Sequence, residues 1–247
     1  MGMVPQSRAL PVLITRPQPQ ASRFAAALRD RYGDRVSPIL TPLLAPSYLR
    51  TDLPHDTFGS VVFTSETGAR AAASQTHALP RRAYCVGDRT AKVAAELGFQ
   101  THSATGDAEK LLALLLNRPE HAPFLHLRGR ESQGDLVAQL TAAGVSAQET
   151  IVYAQEPQAL APEAVHHLSG HGSVIAPLFS PRSAEVFRRA LQGISPNETL
   201  WARLQVVALS PAVAAIFADL PPENLGIAAA PTQAELFLAL DRFIIIA

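Results

Sequence analysis

The sequence predicts an α/β protein of two similar doubly wound parallel-sheet domains joined by a two-crossing β linker. Three observations predict it. Short β-rich runs alternate with helical patterns along all 247 residues. The second half repeats the first out of order. Proline-rich stretches, Pro38, Pro42 and Pro46 in one and Pro157 and Pro162 in the other, fall where such a repeat requires the chain to cross.

In order, strands are expected over 12–15, 36–40, 60–64, 83–86, 124–127, 150–153, 174–179 and 205–209, with helices beginning just after most of them. Phe24, Ala27, Leu28 and Arg31 follow the helical period, as do Val186, Phe187, Ala190 and Leu191, so each segment lays one apolar face on a sheet. The turn 220–224 is an ordinary surface connection, and the tail Phe243-Ile244-Ile245-Ile246 can pack on its own core or on a partner.

Leu13-Ile14-Thr15-Arg16, leading into Phe24 and Leu28, has a counterpart at one constant offset in Leu125-His126-Leu127-Arg128, leading into Leu136 and Leu140. Phe63-Thr64-Ser65 resembles Phe179-Ser180-Pro181, Val86-Gly87-Asp88-Arg89-Thr90-Ala91 resembles Leu209-Ser210-Pro211-Ala212-Val213-Ala214, and Gly106-Asp107-Ala108-Glu109 resembles Thr232-Gln233-Ala234-Glu235. The block that opens the chain in one copy closes the series in the other, which a simple tandem duplication would not do. The economical reading is a discontinuous domain, 1–42 plus 156–247, with a second domain, 43–155, inserted into it. Crossings near Pro42 and Tyr153 would leave a hinged cleft.

A formal net charge of zero, a pI near 7.1 and no run of like charges argue against a nucleic-acid groove or an anionic membrane surface. Any anion must be held locally. The longest aliphatic runs, such as 111–116, fall far short of the roughly 20 residues that span a bilayer. The apolar stretch 9–14 lacks a signal peptide's length and cleavage site, so the expected compartment is cytoplasmic and the sequon Asn197-Glu198-Thr199 accidental. Cys85, the sole cysteine, sits in a strand-like run and reads as a core residue.

In open parallel sheets, ligands bind beyond the carboxyl ends of the strands, where helix N-termini offer unpaired N–H groups. The turns there are rich in hydroxyls and prolines: Ser180-Pro181 and Ser210-Pro211 read as caps followed by proline at the first helical position, and 232–235 as a capping box. A capping hydroxyl needs no ligand to explain it, but together these turns suit several carboxylates or phosphates. Arg16, Arg128 and Arg130 each follow a strand and either clamp anions or solvate a sheet edge. Dinucleotide, P-loop and zinc-helix signatures are missing; Gly129 and Gly134 have P-loop spacing, but Asp135 stands where lysine is required. His166, His167 and His171 read as a solvated loop, because Gly170 and Gly172 weaken a metal-binding helix.

The ordered motifs resemble those of the uroporphyrinogen-III synthase family from Val12 to Leu240. They are Leu13-Ile14-Thr15-Arg16-Pro17 with Gln20-Ala21, Phe63-Thr64-Ser65, 86–91, 106–109, Leu127-Arg128-Gly129-Arg130 with Gly144, Thr150-Ile151-Val152-Tyr153, Phe179-Ser180-Pro181 and 230–234. The resemblance implies a cofactor-free enzyme of tetrapyrrole synthesis that closes hydroxymethylbilane, a linear polycarboxylate, with inversion of ring D.

It also implies a monomer able to contact the preceding pathway enzyme. Tyr153 would be the catalytic proton donor or hydrogen-bond partner at the departing hydroxyl, and Arg16, Thr64, Ser65, Gly87, Thr90, Arg128, Gly129, Ser180, Ser183, Ser210 and Thr232 would bind substrate. The chain departs from the family where Ser210-Pro211-Ala212-Val213 replaces Gly-Pro-Thr-Thr and Thr67 replaces Asn, which puts the hydroxyl contacts of the first turn in doubt. The altered turn keeps open a non-catalytic tetrapyrrole-binding module of the same fold, and a different cofactor-free α/β enzyme acting on a polyanion is the second alternative.

Overall fold

A computed structural model describes residues 9–51, 53, 57–75, 79–131, 134–194 and 198–245; Asn197 of the sequon and Ile246 of the tail lie outside them. In chain order the strands are β1 (Leu10–Ile14), β2 (Val36–Leu40), β3 (Leu44–Tyr48), β4 (Ser60–Phe63), β5 (Arg82–Cys85), β6 (Gln100–Ser103), β7 (Phe124–Gly129), β8 (Ala147–Pro157), β9 (Val174–Leu178), β10 (Leu204–Ala208) and β11 (Leu225–Ile227). The helices are α1 (Gln20–Tyr32), α2 (Glu66–Ala72), α3 (Asp88–Glu96), α4 (Ala108–Leu116), α5 (Leu136–Ala142), α6 (Pro162–Ser169), α7 (Pro181–Gln192), α8 (Glu198–Arg203), α9 (Pro211–Ala214) and α10 (Gln233–Ile244). The chain divides into two compact units, Met1–Ala45 with Pro157–Ala247, and Pro46–Glu156.

The first unit carries a parallel sheet in the order β2-β1-β9-β10-β11. The second carries β8-β7-β4-β5-β6, also parallel, with β3 added at the β8 edge. Strand β3 runs antiparallel to β8: Leu49 N–H donates to the Val152 carbonyl at 2.9 Å and Gln158 N–H to Leu43 at 2.8 Å, so one numbering falls as the other rises. Both unit boundaries lie within these two strands. The spatial order is the same in both sheets and only the connectivity shifts. β7 and β8, which come last among the second unit's strands, hold the places of β1 and β2, which open the first.

Helices cover both faces of each sheet, because a parallel strand needs a crossover and the crossover must bury an apolar stripe. In the first unit Phe24, Leu28, Leu236 and Leu240 build one core, and Leu168, Phe187, Val213 and Phe217 the other. In the second, Phe63, Ala69 and Val93 lie on one side of the sheet, and Val62, Leu111, Phe124 and Leu140 on the other. Cys85 is fully buried, and burial pushes its thiol up to about 12, as a core residue requires.

Three strands lie outside the ranges expected from sequence, β3, β6 and β11, all at sheet edges. An edge strand needs no continuous apolar run, and the Gln-Thr-His-Ser of β6 has none. Strand β8 also extends well beyond 150–153, through polar residues at both ends. Pro38 and Pro46 lie inside the edge strands β2 and β3, where the missing N–H can face away from the ladder. Pro177 is different, since β9 is central. Ile175 pairs with Val12 of β1, and Pro177, two residues on and aimed at the same neighbour, cannot donate, so the β1–β9 ladder ends at that one pair.

Candidate active site

In each unit the crossovers leave in opposite directions from two adjacent central strands, β1 and β9 in the first, β7 and β4 in the second. The carboxyl ends of such a pair open a crevice for ligands. In the first unit the residues following these ends are Thr15, Arg16, Phe179 and Ser180. The Arg16 guanidinium lies 4.1 Å over the centre of the Phe179 ring, a cation–π contact that holds the side chain beside the crevice.

The second unit gathers more chemistry. Tyr153 of β8 is 7% exposed, and its hydroxyl lies 3.1 Å from Ser65 Oγ, which follows β4 two strands away. The ring reaches that far because β7, in between, presents Gly129: a Cβ there would stand 2.5 Å from Tyr153 Cζ. The Arg130 N–H donates to the Tyr153 carbonyl at 2.9 Å, locking the strand end. Ser65 also accepts the Gly68 N–H at 2.9 Å and caps α2. A Cβ on Gly68 would meet the Leu127 carbonyl at 2.8 Å, so the start of α2 sits directly against β7.

On the opposite sheet face Thr64 Oγ1 lies 3.1 Å from His126 Nε2. His126 is 6% exposed, and its pKa is lowered to about 4, chiefly by burial, with Arg128 adding to the shift and Glu149 opposing it. Sequence reasoning gave His126 no role. A histidine in a strand pattern looks like any half-buried polar residue until β4 brings a hydroxyl to its edge.

The other residues named from sequence divide into groups. Ser180 Oγ accepts the Ser183 N–H at 3.2 Å, while the buried Ser183 hydroxyl donates to the Ser180 carbonyl at 3.0 Å, so this pair caps α7. Thr232 accepts the Glu235 N–H at 3.2 Å and caps α10; its own N–H donates to Ala230, so half of the expected capping box forms. Ser210 stands at the N-cap of α9 but makes no capping bond with its side chain. Gly87 is the extended N-cap of α3, with room for a Cβ, and Thr90 in the first turn of α3 is 5% exposed. Arg128 bonds Glu149 at 2.5 Å and the Gly129 carbonyl at 3.2 Å, so its charge is met within the sheet.

The solvated histidine loop needs correction. His166 and His167 lie on α6, which ends at Ser169, and only His171 falls in the following turn. Arg203 fastens that helix end, donating to the carbonyls of His167 and Gly172 at 3.1 and 2.9 Å and to Leu168. The described residues contain no group of three or more His, Cys, Asp or Glu arranged to hold a metal ion.

Paired doubly wound units, with capped helix N-termini and hydroxyls at the carboxyl ends of their central strands, define a class of α/β protein suited to anionic ligands. The chain belongs to the uroporphyrinogen-III synthase family: the family model for uroporphyrinogen-III synthase HemD matches residues 22–237. Among solved structures, the uroporphyrinogen-III synthetase of Helicobacter pylori 26695 is similar in fold, with a TM-score of 0.61 at 18% identity over 94% of this chain and 99% of that one. A mutant uroporphyrinogen III synthase of the extremely thermophilic bacterium Thermus thermophilus gives 0.44 at 16% identity over 95% and 97% of the two chains. No curated protein sequence matches significantly. The family's enzymes are cyclising lyases whose substrate is hydroxymethylbilane, and no helix among the described residues is long and apolar enough to cross a membrane.

Proposed function

We propose that this chain closes hydroxymethylbilane to uroporphyrinogen III with inversion of ring D, and that Tyr153 is the group at its departing hydroxyl. The observation that carries the assignment is the Tyr153 phenol held 3.1 Å from Ser65 Oγ at the carboxyl end of the central strands. The phenol gives its proton to the hydroxymethyl oxygen as the carbon–oxygen bond breaks, water leaves, and the pyrrole's electrons form an azafulvenium. The substituted carbon of ring D attacks this electrophile to give a spiro intermediate, which fragments and recloses with the ring reversed. The ring carbon that closes the macrocycle loses its proton, which returns to the phenolate, and the net loss is one water.

Spontaneous closure yields the uninverted isomer, so the protein's main task is to hold the chain of rings in a folded pose and to stabilise charge. In this reading each unit offers its own donors for carboxylates: backbone N–H groups at α2 and α3 with Ser65 in the second, and at α7, α9 and α10 with Ser180, Ser210 and Thr232 in the first. The Ser210 side chain, uncommitted to capping, is the strongest contact candidate in the altered turn. We further infer a cytoplasmic monomer that works without metal or nucleotide.

Supplying fresh hydroxymethylbilane to the chelator-treated protein and resolving the product isomers tests the proposal. Isomer III is expected. Isomer I alone, at the uncatalysed rate, refutes it, and binding without turnover would leave a tetrapyrrole-binding module.

A further inference from the structure

We propose that His126 is a positioning residue that fixes the Thr64 hydroxyl as a hydrogen-bond donor, so that the turn after β4 selects a carboxylate. Val62 and His126 are register partners on β4 and β7, which puts Thr64, two residues after Val62, on the same sheet face as the imidazole. Nε2 lies 3.1 Å from Thr64 Oγ1, whereas the buried Nδ1 has no hydrogen-bond partner among the described residues.

The two neutral tautomers are therefore unequal. A proton on Nδ1 would strand a buried donor, while a proton on Nε2 leaves only a lone pair unmet there, and orphaned buried N–H groups are the rarer defect. Nε2–H then donates into Thr64 Oγ1. A hydroxyl has one proton to give, and with its oxygen engaged by the imidazole that proton turns away from His126. Burial keeps the ring uncharged at neutral pH, so the choice lies between the two neutral tautomers. Thr64 thus presents a fixed donor where β4 gives way to α2.

The inference rests on Thr64 contacting substrate, and in hydroxymethylbilane the matching groups are the acetate and propionate carboxylates. Ring-nitrogen NMR of the whole chain labelled with 15N-histidine tests the tautomer, with the His126 signal identified by its loss in His126→Gln. A proton on Nε2 and a bare Nδ1 are expected; a proton on Nδ1 overturns the proposal.

In steady state, Thr64→Val and His126→Leu should each raise KM for hydroxymethylbilane about tenfold, equivalent to ~1.4 kcal/mol, with kcat nearly unchanged. The double variant should lose no more, and His126→Gln, which keeps an N–H donor, should restore most of the affinity. Additive losses overturn the coupling. A silent Thr64→Val sinks the substrate contact and the proposal with it, whereas a proton on Nδ1 beside an affected Thr64→Val sinks the proposal alone.

Discussion

The ring of Tyr153 lies across the α-carbon of Gly129, so close that a Cβ there would stand 2.5 Å from Cζ and 2.8 Å from the phenol oxygen. The missing side chain lets β8 reach over β7 to Ser65. Gly129→Ala should displace the ring, break the Ser65–Tyr153 bond and cost about 1–3 kcal/mol, the usual range for overfilling a packed site. Denaturant unfolding measures the loss, and a Gly129→Ala chain with unchanged stability and turnover would show that the ring has another way round.

Tyr153→Phe keeps the ring packing and removes only the hydroxyl. If the phenol delivers the proton, turnover should fall by about 10²-fold, the lower end for a positioned acid. Ser65→Ala should cost turnover less, because neighbouring N–H groups share the anion contacts, but stability more, because α2 loses its cap. A Tyr153→Phe protein with full turnover and a lowered melting temperature would make this tyrosine purely structural.

Ser180→Ala and Ser210→Ala should separate capping from binding. Ser180 caps the long helix α7, so its loss should destabilise by about 1 kcal/mol. Ser210 makes no capping bond, and its removal should leave stability within about 0.5 kcal/mol while raising KM. Thermal melts and Michaelis curves on both variants check this, and the reverse pattern would contradict the assignment.

His126 predicts a pH signature. It binds a proton near 6.5 when unfolded and only near about 4 when folded, so between these values the unfolded chain holds more protons. Stability should therefore rise with pH through that window and be lost as pH falls from about 6.5 towards 4, by on the order of 3 kcal/mol for this residue. Urea unfolding from pH 7 to pH 4 should show a steeper decline in the natural chain than in His126→Gln. Parallel declines would mean that the buried imidazole is protonated without penalty.

The sequence by itself determined the α/β class, most central strands, the permuted motif order and two of the helix caps, because these depend on periodicity and local hydrogen bonding within a few residues. Val36–Leu40 is read at its observed limits, and Ser180 and Thr232 cap helices as their spacing implies, whereas Ser210 makes no capping bond. The short edge strands escaped notice because a half-solvated strand has no apolar signature.

Only the tertiary structure decided what the polar residues touch. Gly129, Tyr153 and Ser65 come from the end of β7, the middle of β8 and the turn after β4, and no sequence spacing encodes that one glycine lets the other two meet. Arg128, read from sequence as clamping an anion or solvating a sheet edge, pairs with Glu149 across a strand pair. His126 acquires its low pKa and its hydroxyl partner through burial beside β4. The physical reason is range: helix caps and hydrophobic periods are set within a few residues, whereas desolvation and side-chain pairing depend on which strands the chain lays side by side.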